Sequence, residues 1–142
     1  MNTNIDINSL VVYDFGDSPE LSEELIGLIL SGKKTATCAT VLEYEKEDEP
    51  IPKVGEYKLV VDYQRNPVCL IEITDVSIVP FCDVDDSFAY DEGEGDRTHK
   101  YWEDGHKQYF QRVLPSYGAT FSETMPLICQ RFTAIKLPNN AQ

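Results

Sequence analysis

The order of the predicted elements limits the possible folds, because one helix pattern is followed by strand patterns that short turns connect. Strand patterns cover residues 37–42, 55–63, 68–79 and 125–137, and a second helix pattern covers residues 98–114. Consecutive strands joined by short turns pair antiparallel, and a sheet of this size closes most readily into a small barrel. We therefore predict an α+β fold: a small, mostly antiparallel β-barrel flanked by helices.

The first helix carries stop and start signals that locate the segment after it. Ser18 is a suitable N-cap, and Pro19 fits the first helical position. Gly32 stands where a C-cap glycine belongs, so the helix ends there. The segment Lys-Lys-Thr-Ala-Thr at residues 33–37 is therefore expected to leave a helix end and enter a strand.

The chain of 142 residues is expected to form a single domain, residues 1–142. Residues 1–16 are interpreted as an N-terminal preamble and residues 138–142 as a polar tail. The acidic segment 43–52 contains two prolines and predicts a loop. Residues 83–96 contain two glycines and many acids, which disfavours a regular helix there.

Net charge limits the partners that the chain can bind. The sequence has 25 acidic residues against 12 Lys plus Arg, a net charge of −13. Affinity for a nucleic-acid backbone comes largely from cations, so tight nonspecific binding of RNA or DNA is not expected. The negative net charge does not oppose binding of a small neutral ligand such as a nucleoside. No apolar run approaches the roughly 18 residues of a membrane span, and the N-terminus lacks signal-peptide features, so a cytoplasmic protein without membrane association is expected.

Cysteine and histidine spacing does not predict a metal site. The four cysteines are scattered without a C-x-x-C pair, and the two histidines lie seven residues apart without an evident third ligand. Zinc sites in proteins usually show clustered thiolates or imidazoles. Reduced, mostly buried thiols are expected, with no metal and no cofactor.

Two lysines and two threonines directly follow the first helix. A lysine beside a hydroxyl can activate this weak nucleophile if burial lowers the pKa of the amine. Alternatively, Lys33 and Lys34 are solvated and offset the negative end of the helix dipole. The local pattern also leaves open whether Lys34 or Lys33 lies on the same side as Thr37.

The segment Ser-Gly-Lys-Lys-Thr-Ala-Thr at residues 31–37 resembles the G-x-K-x-x-T signature of the ASCH domain family. Further segments resemble the longer bacterial branch of that family and occur in the same order. They are Lys-Val-Gly-Glu at 53–56, Glu-Ile-Thr at 72–74, the acidic run at 88–96, Tyr-Trp at 101–102 and Met-Pro at 125–126. The resemblance extends over residues 21–137.

This resemblance implies a PUA-like barrel whose cleft is associated with RNA or modified nucleosides. Some small bacterial relatives are amidohydrolases that remove the acetyl group of N(4)-acetylcytidine with a lysine, a threonine and a glutamate. The first two correspond to Lys34 and Thr37, and the glutamate corresponds to Glu92 or Glu94. Glu92 has the matching spacing from Ala89 and ranks slightly higher. The resemblance equally allows a non-catalytic RNA- or nucleotide-binding module, or a ribonuclease.

One position departs from the small relatives, which have an arginine two residues after the threonine. Ala39 occupies this place. An arginine could hold a carbonyl or a phosphate through a forked hydrogen bond, so its loss bears on the substrate and on hydrolysis. A vestigial site in a structural or regulatory protein is a third alternative.

Five further residues are candidate substrate contacts for a nucleoside, a nucleotide or a short RNA. Lys33 and Thr35 belong to the motif itself. Arg97 could contact a phosphate, and either Tyr101 or Trp102 could stack on a base. The alternative for Arg97 is a solvated partner of nearby acids, and for the aromatic pair it is the core of the second helix.

Overall fold

The computed structural model describes residues 6–137. The predicted polar tail at 138–142 and the first five residues of the preamble lie outside this range. The strands are β1 (Val12–Asp14), β2 (Ala36–Thr40), β3 (Tyr57–Val61), β4 (Pro67–Pro80) and β5 (Pro126–Ile135). The helices are α1 (Pro19–Leu30), α2 (Val41–Lys46), α3 (Asp86–Glu92) and α4 (His99–Val113), with short 3-10 turns at Ile7–Ser9, Phe81–Asp83 and Leu114–Tyr117.

All five strands form one sheet in the order β1-β3-β4-β5-β2. The pairs are antiparallel except for β1, which runs parallel to β3. The 14-residue β4 pairs along its length with β5, and a register shift between Ile73 and Asp75 interrupts this ladder. Such irregularities bend a strand, and the mixed sheet curls into a half-barrel with flanking helices. The predicted α+β class and the largely antiparallel sheet are confirmed.

The first helix is capped as predicted. The Ser18 hydroxyl accepts a hydrogen bond from the Leu21 amide at 3.1 Å, and Pro19 is the first helical residue. Gly32 has a φ of +84°, in the left-handed region that a residue with a Cβ adopts at a cost. The chain therefore leaves α1 through a tight turn and enters β2.

Three local predictions were wrong. The preamble contains a strand, β1, because Val12 and its neighbours pair with β3 at the edge of the sheet. The predicted loop at 43–52 begins as helix α2, since Thr40 and Glu43 form a reciprocal capping box. The segment 83–96 contains helix α3, which Asp85 caps and Gly93 ends with a φ of +76°.

Hydrophobic side chains cover the sheet in two main clusters. One lies beneath α3 and α4 and includes Phe81, Phe88 and Trp102. The other lies beneath α1 and includes Phe15 and Ile29. Within residues 6–137 no helix has the length and apolar character needed to span a membrane.

Candidate functional site

The turn after α1 directs the Lys34 side chain into the protein. The amides of Lys33 and Lys34 both donate to the Leu28 carbonyl at 3.0 Å, and the Thr35 amide donates to the Asp91 carbonyl at 2.8 Å. These bonds join the start of β2 to the end of α3. Lys34 is only 2% exposed, so the solvated alternative does not describe it.

Two carboxylates surround the Lys34 ammonium. Its Nζ lies 2.9 Å from Glu92 Oε1 and 3.0 Å from Glu94 Oε2. Glu92 is 2% exposed, whereas the side chain of Glu94 is 25% exposed. Both candidate glutamates therefore contact the same lysine, Glu92 from the protein interior and Glu94 from the side that solvent reaches.

The second oxygen of Glu92 is also occupied. Glu92 Oε2 accepts a hydrogen bond from Trp102 Nε1 at 2.9 Å, and His106 Nε2 lies 3.3 Å away. The other ring nitrogen of His106 faces the Trp102 carbonyl at 2.9 Å. A buried charge is costly unless it is paired and hydrogen-bonded, and Glu92 meets this condition through three partners.

The balance of burial and charge, which the sequence left open for Lys34, favours the charged forms. Burial lowers the pKa of Lys34, but the carboxylates of Glu92 and Glu94 outweigh it and raise this pKa to about 12. Burial raises the pKa of Glu92, but Lys34 and His106 together hold it below its ordinary value. Burial opposes protonation of His106, yet Glu92 raises its pKa. The group is therefore an ammonium, a carboxylate and a histidine biased toward imidazolium.

This charged group lies on the wall of a cavity of about 560 Å³. Thr37, Lys34, Glu92 and Glu94 all line it, so residues distant in sequence meet at one place. Its volume lies within the range of about 300–1,000 Å³ that is usual for small-molecule sites. Acids predominate among its charged lining residues, which comprise Asp14, Asp17, Glu43, Glu47, Glu49, Glu92 and Glu94 against Lys34, His106 and Arg112.

Another part of the cavity wall is uncharged and polar. The amide of Gln130 accepts a hydrogen bond from the Tyr13 hydroxyl at 2.9 Å and donates one to the Tyr44 hydroxyl at 3.3 Å. The two hydroxyls are 3.4 Å apart. This group, here called the Gln130 cluster, joins β1, α2 and β5 at the cavity.

Three candidate substrate contacts do not line the cavity. Lys33 is exposed, and its carbonyl accepts a hydrogen bond from Arg97 Nη2 at 3.2 Å. The Arg97 guanidinium lies 3.6 Å from the centroid of the Tyr90 ring, so Arg97 braces the loop after α3. Thr35 joins β2 to Asp91 through its amide.

The two aromatic candidates have different surroundings. Tyr101 is exposed at the cavity wall and is accessible for stacking. Trp102 is buried, stacks on His106 at 4.4 Å between ring centroids and directs its indole N–H to Glu92. The sequence did not predict His106 as a site residue, although its position four residues after Trp102 places both side chains on one face of α4.

Three donor atoms are grouped closely enough to consider a metal. The potential ligand atoms of Cys38, Glu92 and His106 lie within 4.8 Å of one another. Burial raises the pKa of the Cys38 thiol, which disfavours the thiolate that a metal binds. Glu92 Oε2 is already bonded to Trp102 and paired with His106. Hydrogen bonding and ion pairing account for this group without a metal.

The chain is similar in sequence and in fold to known proteins. A family model described as the ASCH domain matches residues 11–136. The crystal structure of an ASCH domain from Lactobacillus crispatus has 31% sequence identity and a TM-score of 0.83, covering 89% of this chain and 80% of that one. The crystal structure of a protein from Enterococcus faecalis has 38% identity and a TM-score of 0.83, covering 91% and 78%. A search of curated proteins finds no match.

Proposed function

The chain belongs to the ASCH domain family, which is linked to RNA binding, and we propose that its cavity hydrolyses the acyl amide of a modified nucleoside such as N(4)-acetylcytidine. One observation carries the proposal. A buried lysine, held between two carboxylates, shares the wall of a ligand-sized cavity with Thr37. Amide hydrolysis requires a charge stabiliser, a proton acceptor and a hydroxyl or water in one place.

In this reaction Lys34 stabilises negative charge. An ammonium cannot accept a proton, and its two carboxylate contacts favour the charged amine over the neutral base that the sequence suggested. Nζ also donates to the Glu92 carbonyl at 3.4 Å, the longest of its three hydrogen bonds, and this donor can turn to the oxyanion that forms when the amide carbonyl is attacked. Protonation of Glu94 in the same step removes one of the two negative charges beside the ammonium. The carboxylates hold Nζ in place before the substrate binds, so little reorganisation is needed.

Glu94 is assigned as the proton acceptor. Both oxygens of Glu92 are already engaged by Lys34, Trp102 and His106, so Glu92 positions the lysine. Within residues 6–137, the side-chain hydrogen bond to the Glu94 carboxylate comes from Lys34 alone. The partial exposure of Glu94 leaves an oxygen for a water molecule or the substrate.

The proposed steps conserve atoms and charge. Thr37 orients a water molecule, which transfers a proton to Glu94 as its oxygen bonds to the acyl carbon. The resulting oxyanion is stabilised by Lys34. The C–N bond then breaks, and Glu94 returns the proton to the leaving amine, giving the nucleoside and a carboxylic acid that ionises to its anion.

The electrostatics of the cavity favour a nucleoside over a polynucleotide. Five further acids line the cavity, namely Asp14, Asp17, Glu43, Glu47 and Glu49. They would repel successive phosphates, whereas a neutral nucleoside carries no such cost. This observation argues against a ribonuclease and against tight binding of long RNA.

The test follows release of cytidine from N(4)-acetylcytidine by chromatography. The wild type should turn over, and Glu94→Gln should lose roughly 10²–10⁴-fold in kcat because the proton acceptor is removed. Thr37→Val should also lose activity while remaining folded. Asp104→Asn is the matched control, since this carboxylate pairs with Lys100 on an exposed helix surface and should leave kcat unchanged.

Two outcomes would overturn the assignment. If the wild type releases no cytidine, this substrate is excluded. If Glu94→Gln retains full activity, Glu94 is not the proton acceptor. An inactive wild type that binds unrelated RNA tightly at physiological salt would favour the non-catalytic RNA-binding module instead.

A further inference from the structure

Tyr101 combines high exposure with a fixed position at the cavity wall. It is 48% exposed and lines the cavity. Single exposed aromatic residues are common on protein surfaces and need no functional explanation. Tyr63, which is 49% exposed and lies outside the cavity lining, is such a residue. Tyr101 differs from it in the support that its ring receives.

The backbone of Gly95 supports one face of the Tyr101 ring. Gly95 has a φ of +60°, and a Cβ added to it would lie within 2.5 Å of three adjacent ring atoms, Cζ, Cε1 and Cε2. The three distances are nearly equal. This position is therefore over the face of the ring, because a point beside the ring edge would be distinctly farther from two of the atoms. Only a glycine leaves room for the ring here, and the opposite face of the ring stays uncovered by Gly95.

Short-range hydrogen bonds fix the segment that carries both residues. The Tyr101 amide donates to Thr98 Oγ1 at 3.1 Å, and Thr98 Oγ1 donates to Asp96 Oδ1 at 2.6 Å. The Arg97 amide donates to the Glu94 carbonyl at 3.0 Å. An aromatic ring that is already held in place loses little conformational entropy when a ligand binds to it.

This ring adjoins the charged group. Glu94 directly precedes Gly95, and its carboxylate contacts Lys34 Nζ at 3.0 Å. Glu94 and Tyr101 line the same cavity. A planar group that lies on the open face of the ring is therefore next to the segment that carries the proposed proton acceptor.

We propose that Gly95 and Tyr101 form a stacking platform, in which Gly95 supports one face of the Tyr101 ring and the other face binds the base of a nucleoside. This inference deepens the proposed function and depends on it only in taking a nucleoside as the ligand. Stacking on a base requires no charge, so it suits a cavity whose charged lining residues are mostly acidic. Trp102, the other aromatic candidate, is buried and bonded to Glu92, so it is not available for this role.

Calorimetric binding of cytidine to the wild type and to variants tests the platform. Tyr101→Leu removes the π-system and keeps an apolar side chain, so affinity should fall about tenfold or more. Tyr101→Phe keeps the ring and should retain the affinity within about twofold. Tyr63→Leu, at the similarly exposed tyrosine, is the matched control and should leave the affinity unchanged.

Nuclear magnetic resonance of the ligand reports stacking itself. Protons above the face of an aromatic ring shift upfield, so H5 and H6 of cytidine should move upfield on binding to the wild type and to Tyr101→Phe. At the same bound fraction, this shift should be lost with Tyr101→Leu. A purely structural role of Tyr101 would change affinity without changing the shift of bound cytidine, and this result would overturn the platform.

A double-mutant cycle tests the support that Gly95 gives. Gly95→Ala should weaken cytidine binding because the added Cβ displaces the Tyr101 ring. The same substitution should cause little further loss in Tyr101→Leu, since the ring is already absent. Equal losses in both backgrounds would overturn the role of Gly95 as the support of the ring.

The outcomes separate this inference from the hydrolase proposal. Absent hydrolysis with cytidine binding that depends on the Tyr101 ring would remove the proposed reaction and retain the platform. Hydrolysis with an unchanged KM in Tyr101→Leu would retain the reaction and overturn the platform. Wild-type protein that binds no cytidine, or binds it without an upfield shift of H5 and H6, would also overturn the platform. Thermal unfolding establishes that each variant is folded.

Discussion

Replacement of Glu92 by glutamine tests whether the charged group stabilises the fold. The substitution preserves the shape of the side chain and removes its charge. Lys34 then keeps a single carboxylate partner, Glu94, and His106 loses its partner at 3.3 Å. An amide nitrogen also comes to face either the ammonium or the Trp102 indole N–H, which are both donors.

The expected cost follows from the burial of both partners. Breaking a buried ion pair by changing one member typically costs about 3–5 kcal/mol. Because Glu94 continues to neutralise Lys34, we expect the lower value, about 3 kcal/mol. A chain of 142 residues has an unfolding entropy of about 0.3 kcal/mol/K, so the midpoint should fall by about 10 °C.

The pH dependence gives a second, independent signature. The pKa of Glu92 is lowered in the folded protein, so its contribution is complete above the unfolded pKa of about 4.3 and is lost as pH falls toward the folded pKa. The pKa of Lys34 is raised to about 12, so the contribution of the lysine is present below its ordinary pKa and is lost as pH rises toward 12. Wild-type stability should therefore decline more steeply than that of Glu92→Gln below about pH 4.3.

Thermal unfolding followed by far-UV circular dichroism measures both effects. Asp104→Asn removes an exposed carboxylate and should leave the midpoint unchanged, which controls for loss of one negative charge. A midpoint within about 3 °C of the wild type, corresponding to about 1 kcal/mol, would show that the charge of Glu92 contributes little to the stability of the fold. Equal acid sensitivity of wild type and Glu92→Gln would show that Glu92 is not ionised as described.

Two further predictions concern the segments that hold the site. Gly93→Ala should destabilise the protein by about 2 kcal/mol or more, because the φ of Gly93 is +76° and the added Cβ would collide with the Lys33 carbonyl. Chemical denaturation measures this loss, and an unchanged midpoint would contradict the close contact between Gly93 and Lys33. Thr40→Ala removes the N-cap of α2 and should lower the free energy of unfolding by about 1 kcal/mol. Chemical denaturation measures this loss, and a free energy equal to that of the wild type would contradict the capping role of Thr40.

Much of the fold was predictable because its signals are local. Helix α1 was predicted from local signals, namely the Ser18 cap, Pro19 and Gly32. The alternation of apolar and polar residues correctly predicted a sheet. The strand at Val12–Asp14 was missed since three residues carry little pattern, and its stability comes from pairing with β3. Helix α2 was missed although Thr40 and Glu43 have the spacing of a capping box, because the acidic composition and two prolines of residues 43–52 favoured a loop.

The site was predictable only in part, since its contacts are long-range. The resemblance to the ASCH family predicted Lys34 and Thr37 as site residues, together with Glu92 or Glu94. The sequence did not specify that Lys34 would be buried between both glutamates, because this depends on α3 packing against the start of β2. Gln130 joins the site through strand register, which residue spacing along the chain does not encode.

A crystal structure of the protein with bound cytidine, the product of the proposed reaction, tests whether the cavity beside Lys34 and Thr37 binds the nucleoside. The base should lie in the cavity, with its exocyclic nitrogen between Thr37 and Lys34 Nζ. Cytidine bound elsewhere on the protein, or bound in the cavity with its exocyclic nitrogen directed away from Lys34, would exclude this site for the proposed hydrolysis.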